Sequence, residues 1–300
     1  MSHFTVAVIG SNVEEQLAPF NENVSEGNEE YREFEDHEKK CQKDWKSGKT
    51  DAILMPDKTY KSPYDAQFRD KSKGFSNDYV YPKGSKKVKV SYKKLYKDFD
   101  TFCEEYHGYR KNEETGNHGY WHNPNAKWDW YQVGGRWSGF LKLKKGKNGN
   151  MGEKSWCNEK EEIPEDRVDQ AKKGDIDFDG MKSESFEKAN KSYDEFEKLL
   201  AQDPEKAKNN AYWEYGIQNV SGKAIDKKWI PETREQYLKR CAAPTTFAVL
   251  KDGKWYQRGE MGWWACVSNE KDGEKWTEEF WKLLQSVDNN EVISIVDCHI

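Results

Sequence analysis

Six histidines, six cysteines and 54 acidic residues give this 300-residue chain the materials for acid–base or metal chemistry, so their spacing decides. His118 and His122 stand four apart in GNHGYWH. On a helix they would share one face and chelate a transition metal. Gly116 and Gly119 oppose a helix there, and Pro124 follows at once. Cys298 and His299 could complete such a site only through the fold. DIDFDG, residues 175–180, opens like a calcium loop, but the closing ligand position holds Phe186, and Glu187 falls one place late. An acidic turn before a helix is the better reading. The cysteines at 41, 103, 157, 241, 266 and 298 form no CxxC pair and read as reduced thiols. No GxSxG, HExxH, GxGxxG or P-loop motif occurs. No catalytic, cofactor-binding or metal residue is therefore assigned, and a non-enzymatic protein without cofactors is expected. The alternative is an enzyme that modifies or degrades a nucleotide or a host factor. Its sign would be a pocket where His118, His122, Cys298 or His299 meets an acid at hydrogen-bond distance.

The densest feature is GNHGYWHNPNAKWDWYQVGGRWSGFLKLKK, residues 116–145. Its aromatics and glycines read first as a twisted hairpin with Gly134-Gly135 as the turn and alternate rings in a core. The candidate interface anchors within it are Trp128, Trp130, Tyr131, Arg136 and Trp137, because Trp, Tyr and Arg dominate binding energetics. A third reading is a nucleic-acid stacking platform beside Lys142 to Lys147. The net charge of −5 makes direct nucleic-acid binding unfavoured.

The elements that position these residues follow from pattern. HFTVAVI alternates as a strand without a neighbour near it in sequence. Asn12 and Glu15 frame a short helical turn. Residues 22–38 form an acidic strip, and Lys83 to Lys97 a basic one; both read as solvated faces that also suit a charged partner. Residues 51–86 read as mostly irregular. KKVKVS, 86–91, reads as an edge strand with outward lysines. Tyr92, Leu95, Tyr96, Phe99, Phe102, Cys103 and Tyr106 predict a helix over 92–107, capped by Ser91 and Gly108. Helices are also expected over PEDRVDQAKKG, 164–174; SFEKANKSYDEFEKLLAQ, 185–202; PEKAKNNAYWEYG, closed by Gly216; and PETREQYLKRC, 231–241. TTFAVL and KWYQRG flank an Asp-Gly hairpin turn. MGWWACVS as a third strand, a helix and a last strand, VISIVDCHI, follow.

The expected fold class is α+β, with a β-rich domain formed by both chain termini and inserted irregular and helical segments. Its parts are residues 1–20 plus 242–300, a charged and aromatic segment at 21–149, and a helical insertion at 150–241. The first strand should pair with a strand after residue 244. MSHFTVAVIG lacks the basic start of an export signal, and no window approaches a membrane span, so a cytoplasmic location is expected.

The segments SHFTVAVIG with EEQLAPF, NPNAKWDWYQVGGRW, DQAKKGDIDF, and EMGWWACVS with VDCHI resemble a family found mainly in phage and prophage genomes. In size and setting the chain is similar to phage anti-defence proteins that inhibit the Gabija system. The resemblance implies a phage-encoded, non-enzymatic inhibitor. It would assemble as a homo-oligomer around a host nuclease–helicase complex and block DNA binding and cleavage. It carries over no individual contact residue.

Overall fold

The computed structural model describes residues 2–24, 27–70, 78–220, 229–241 and 243–300. Glu26 of the acidic strip, residues 71–77 of the irregular stretch, residues 221–228 of the helical block and Ala242 lie outside them. The fold is α+β and divides into two compact units, Met1–Glu22 with Asn125–Ile300, and Asn23–Pro124. This differs from the boundaries expected. The aromatic segment from Asn125 onward and the helical block belong with the terminal strands, and 23–124, which includes the start of that segment, is the excursion.

The first unit is built on a seven-stranded sheet. His3–Ile9, alternating and β-branched, lies antiparallel to Val292–His299 along its whole length, His3 opposite His299 and Ile9 opposite Ile293. Its other edge pairs in parallel with Ala248–Lys251, which forms the Asp-Gly hairpin with Lys254–Gln257. The first strand thus finds its partners at the far end of the chain, as expected. The free edge of Val292–His299 is shared. Gln170–Lys172 takes its first half and Trp130–Gly135 its second, with Glu153–Lys154 parallel outside the latter. Alternation sends Phe4, Val6, Val8, Val296 and Cys298 to one face, packed with Leu17, Phe20 and Trp128. Ala7, Ile9, Ile293 and Ile295 face the other way, onto Trp276, Phe280 and Leu284 of helix Gly273–Gln285.

The helical block keeps its caps. Asp177 accepts from Gly180 N–H and starts helix Phe178–Gln202. Asp203 caps Pro204–Tyr215, and Gly216 closes it at φ 68°. With Arg234–Cys241 these helices bury Tyr193, Phe196, Ala207, Ala211 and Tyr237. DIDFDG is therefore a helix start, and Asp175 pairs with Lys147 at 2.9 Å. Two expectations fail. Residues 164–174 form no α-helix; Arg167–Val168 and Gln170–Lys172 are strands with sheet partners, and only a 3-10 turn, Lys173–Asp175, follows them. MGWWACVS is not one strand but a small hairpin, Glu260–Met261 with Val267–Ser268.

In the second unit, Glu33–Asp36, His118–His122 and Arg110–Lys111 form one three-stranded sheet, and Tyr60–Lys61, Lys49–Leu54 and Lys86–Ser91 another. Lys86–Ser91 is an edge, as read. The helix expected over 92–107 is shorter: a 3-10 turn spans Tyr92–Lys94, and the α-helix Phe99–His107 begins at Asp98, whose carboxylate accepts from Thr101 N–H. That helix and Glu38–Ser47 bury Phe102, Cys103 and Cys41.

Candidate functional site

The Gly134-Gly135 pair is not a hairpin turn. Both residues have positive φ, 79° and 56°, at the end of their strand. A Cβ on Gly134 would overlap a carboxylate oxygen of Asp169, and one on Gly135 would overlap Asp297. The glycines let the backbone close on two buried acids. Asp169 accepts from Gly139 N–H at 2.6 Å and Gly152 N–H at 2.8 Å. Burial raises its pKa above the ordinary carboxylate value, opposed by those two hydrogen bonds. Asp297 accepts from Arg136 N–H at 3.0 Å through one oxygen and meets His3 Nδ1 at 2.8 Å through the other.

A second histidine stands beside the first. The register that sets His3 opposite His299 puts both rings on the Asp297 face, 4.9 Å apart. His299 Nδ1 lies 2.6 Å from Asp129 Oδ1. Trp130, opposite His299, meets His3 edge-on at 6.2 Å. The apolar layer under Trp276 thus gives way, toward the chain termini, to a polar one of Thr5, Asp297, His3 and His299. A carboxylate at Nδ1 holds each imidazole with Nε2 as its second functional nitrogen, and His299 Nε2 is buried without a hydrogen-bond partner among the described residues. Such pairs serve as general acid or base, or as metal ligands with their orienting carboxylates. A nucleophile does not join them from the same strand: Cys298 points to the opposite face, and burial, then Asp297, raises its thiol well above the ordinary value. Among the described residues no group of three or more His, Cys, Asp and Glu is placed to hold a metal. His3 and His299 alone would leave any metal short of ligands.

The expected anchors separate. Trp130 is 48 % exposed and Arg136 is also exposed. Tyr131 and Trp137 are half-buried against the two sheet cores. Trp128 is buried, its indole N–H donating to Leu17 carbonyl at 3.0 Å, so it is core and not an anchor. The stacking-platform reading fails with it, since it needed Trp128 and Trp137 in solvent. Three of its four lysines are also engaged, Lys142 with Glu184, Lys144 with Gly174 carbonyl and Lys147 with Asp175.

His118 and His122 lie on a strand, where four residues span roughly 13 Å, so they form no chelating pair. His118 is buried and structural. Its Nδ1 meets Glu38 at 2.8 Å, and its backbone N–H donates to the same carboxylate. Cys298 and His299 belong to the other unit. The acidic and basic strips are partly consumed locally. Glu35 accepts from the Tyr120 hydroxyl at 2.6 Å and Asp36 from Asn117, while Lys87, Lys93 and Lys94 lie over Tyr81, Trp45 and Tyr60.

Sequence reasoning missed His3, Asp129, Asp169 and Asp297. The one signal for Asp297 and His299 was VDCHI, where alternation puts an acid and a histidine on one face. Among the described residues no helix is long and apolar enough to cross a membrane. The chain matches no family model, no curated protein and no solved structure.

Proposed function

We propose that the protein works by binding a protein partner, as a phage-encoded, non-enzymatic inhibitor that engages a host nuclease–helicase complex of the Gabija kind and blocks its action on DNA. The observation that carries the binding half is tryptophan left in solvent, Trp130 on a strand and Trp213 on a helix among them. Trp156, Trp213 and Trp264 are 82 %, 85 % and 80 % exposed, and Trp130, opposite His299 in the sheet, is 48 % exposed. Covering one such indole is worth roughly 4 kcal/mol at most from area alone. Aromatics on rigid supports lose little entropy when they dock. The resemblance supports the partner's identity and assembly in several copies, where avidity would multiply weak single contacts. Affinity capture from phage-infected host cells, with mass measurement of the intact complex, tests this. The expected result is a nuclease–helicase complex at fixed stoichiometry, depleted at least tenfold by Trp130→Ala with Trp213→Ala. Recovery of the protein alone overturns it.

The paired histidines favour a second reading, an enzyme acting on a nucleotide or a host factor. His3 with Asp297 and His299 with Asp129 are each at hydrogen-bond distance. Turnover of a nucleotide panel, abolished by His299→Ala with unchanged melting, would support it; no turnover removes it.

A further inference from the structure

The two sheets of the second unit each end in a charged edge strand, and the two edges have opposite sign. Glu33–Asp36 is the outer strand of one sheet and pairs on one side only, with His118–His122. Lys86–Ser91 is the outer strand of the other and pairs only with Lys49–Leu54. Among the described residues neither carries a backbone hydrogen bond on its second side. Each therefore offers a row of N–H and C=O groups to a further strand. The side chains forbid pairing of like with like. Glu33, Glu35 and Asp36 on one edge, and Lys86, Lys87 and Lys89 on the other, would then meet their own charge. Charges on an edge commonly guard it against any partner. A chain with one edge of each sign is guarded against like edges and open to unlike ones.

We propose that the acidic edge Glu33–Asp36 of one copy pairs antiparallel with the basic edge Lys86–Ser91 of a second copy, Phe34 opposite Val88. That register sets Glu33 against Lys89, Glu35 against Lys87 and Asp36 against Lys86. Three of its four pairs are opposite charges and the fourth is apolar, the cross-strand combinations that stabilise a ladder. A shift of one residue either way puts Phe34 against a lysine. A shift of two puts Glu35 against Ser85 or Asp36 against Val88. A parallel pairing that keeps Phe34 at Val88 sets Asp36 against buried Val90. Glu33, Lys86 and Lys89 are exposed and enter no ion pair among the described residues. Lys87 lies over Tyr81, and Glu35 is held by the Tyr120 hydroxyl at 2.6 Å, so Glu33 and Lys89 are the least engaged pair. Asp51 stands opposite Lys89 within its own sheet without closing an ion pair, and Glu33 of the second copy would approach from the free side. So short a ladder buries little area, and its single joint is weak unless a target holds the copies together. The joint is read from the chain's own edges and stands whether or not the host complex proposed above is that target.

Sedimentation of the full chain alone, over a range of concentrations, tests the joint. Self-association should appear at about 0.05 M salt and weaken at least tenfold by about 0.5 M. Glu33→Lys and Lys89→Glu should each weaken it at least tenfold with unchanged circular dichroism and melting. The two variants mixed in equal amounts, and the double variant, should associate again to within threefold of the native chain, because each restores opposite charges across the joint. Lys254→Glu, on the edge strand of the first unit's sheet, should leave association within threefold. Four outcomes overturn the proposal: a monomer up to about 1 mM, association indifferent to either single swap, losses that neither the mixture nor the double variant restores, or a chain that stays monomeric yet holds polyglutamate through Lys89, which gives the basic edge to a different acidic partner.

Discussion

Asp169 shows how one residue can organise a segment that looks like a turn. Its carboxylate gathers Gly139 and Gly152 N–H groups, and its carbonyl accepts from Ile295 N–H at 2.8 Å. Asp169→Ala strands two buried donors, each costing about 1–3 kcal/mol, so chemical denaturation should show a loss of roughly 3 kcal/mol. Because burial raises the Asp169 pKa, its ionised form is the costly one. Its contribution to folding is greatest below the unfolded value and is lost as pH rises through the raised value. Gly135→Ala should be destabilising by at least about 2 kcal/mol on the same measurement, from positive φ and overlap with Asp297 together. None of this was legible in the sequence. Gly-Gly has the same composition whether it turns a hairpin or admits a carboxylate, and the two acids it admits lie 35 and 162 residues beyond Gly134 and Gly135 (169 − 134 and 297 − 135). The His3–His299 pair was hidden for the same reason, since only the register between the chain's two ends brings the rings together.

Elements with their own stop signals were read well. Asp203 and Gly216 bound a helix as capping chemistry requires, and Asp252-Gly253, at φ 52° and 69°, turns its hairpin. Segments without periodicity were misread. PEDRVDQAKKG carries a proline and a glycine at helical positions, but its few apolar residues answer to a sheet. Helix Phe99–His107 carries a pH dependence of its own. Burial is the main cause that lowers the His107 pKa, Lys40 adds to it, and Asp44, 3.5 Å away, opposes it. His37 also bears on it electrostatically, and Phe102, Tyr106 and Tyr109 pack on the ring. A depressed imidazole stabilises the fold above its unfolded value and loses that contribution as pH falls through the folded one. Hydrogen exchange of residues 99–107 should therefore show opening that becomes easier from about pH 7.5 to about pH 5.5, with a flatter response in His107→Gln. At the start of the same helix, Asp98→Ala should cost about 1 kcal/mol through the lost bond to Thr101 N–H.

At the scale of the molecule, the split domain was legible because the first strand had no sequence neighbour and had to find one at the other end. The boundary of the excursion was not, because residues 125–149 resemble a local hairpin. The chain leaves the first unit after Glu22 and rejoins it at Asn125, and these points are adjacent, with Glu22 N–H on Trp128 carbonyl at 2.7 Å and Lys127 N–H on Phe20 carbonyl at 2.8 Å. Replacing residues 23–124 by a short Gly-Ser linker should therefore leave the sheet intact, read as retained amide protection in His3–Ile9 and Val292–His299. Loss of that protection would show that the first unit depends on the second. The pairing of the two terminal strands also sets a timetable for synthesis. While the ribosome is still making the chain, His3–Ile9 emerges well before Val292–His299 and has no antiparallel mate until that strand clears the exit tunnel. Its apolar residues wait while every residue between the two strands is made, a period in which residues 23–124 can already close on themselves. A pause or truncation ahead of Val292–His299 thus leaves a finished excursion tethered to an open sheet edge, the form most exposed to chaperones and to aggregation.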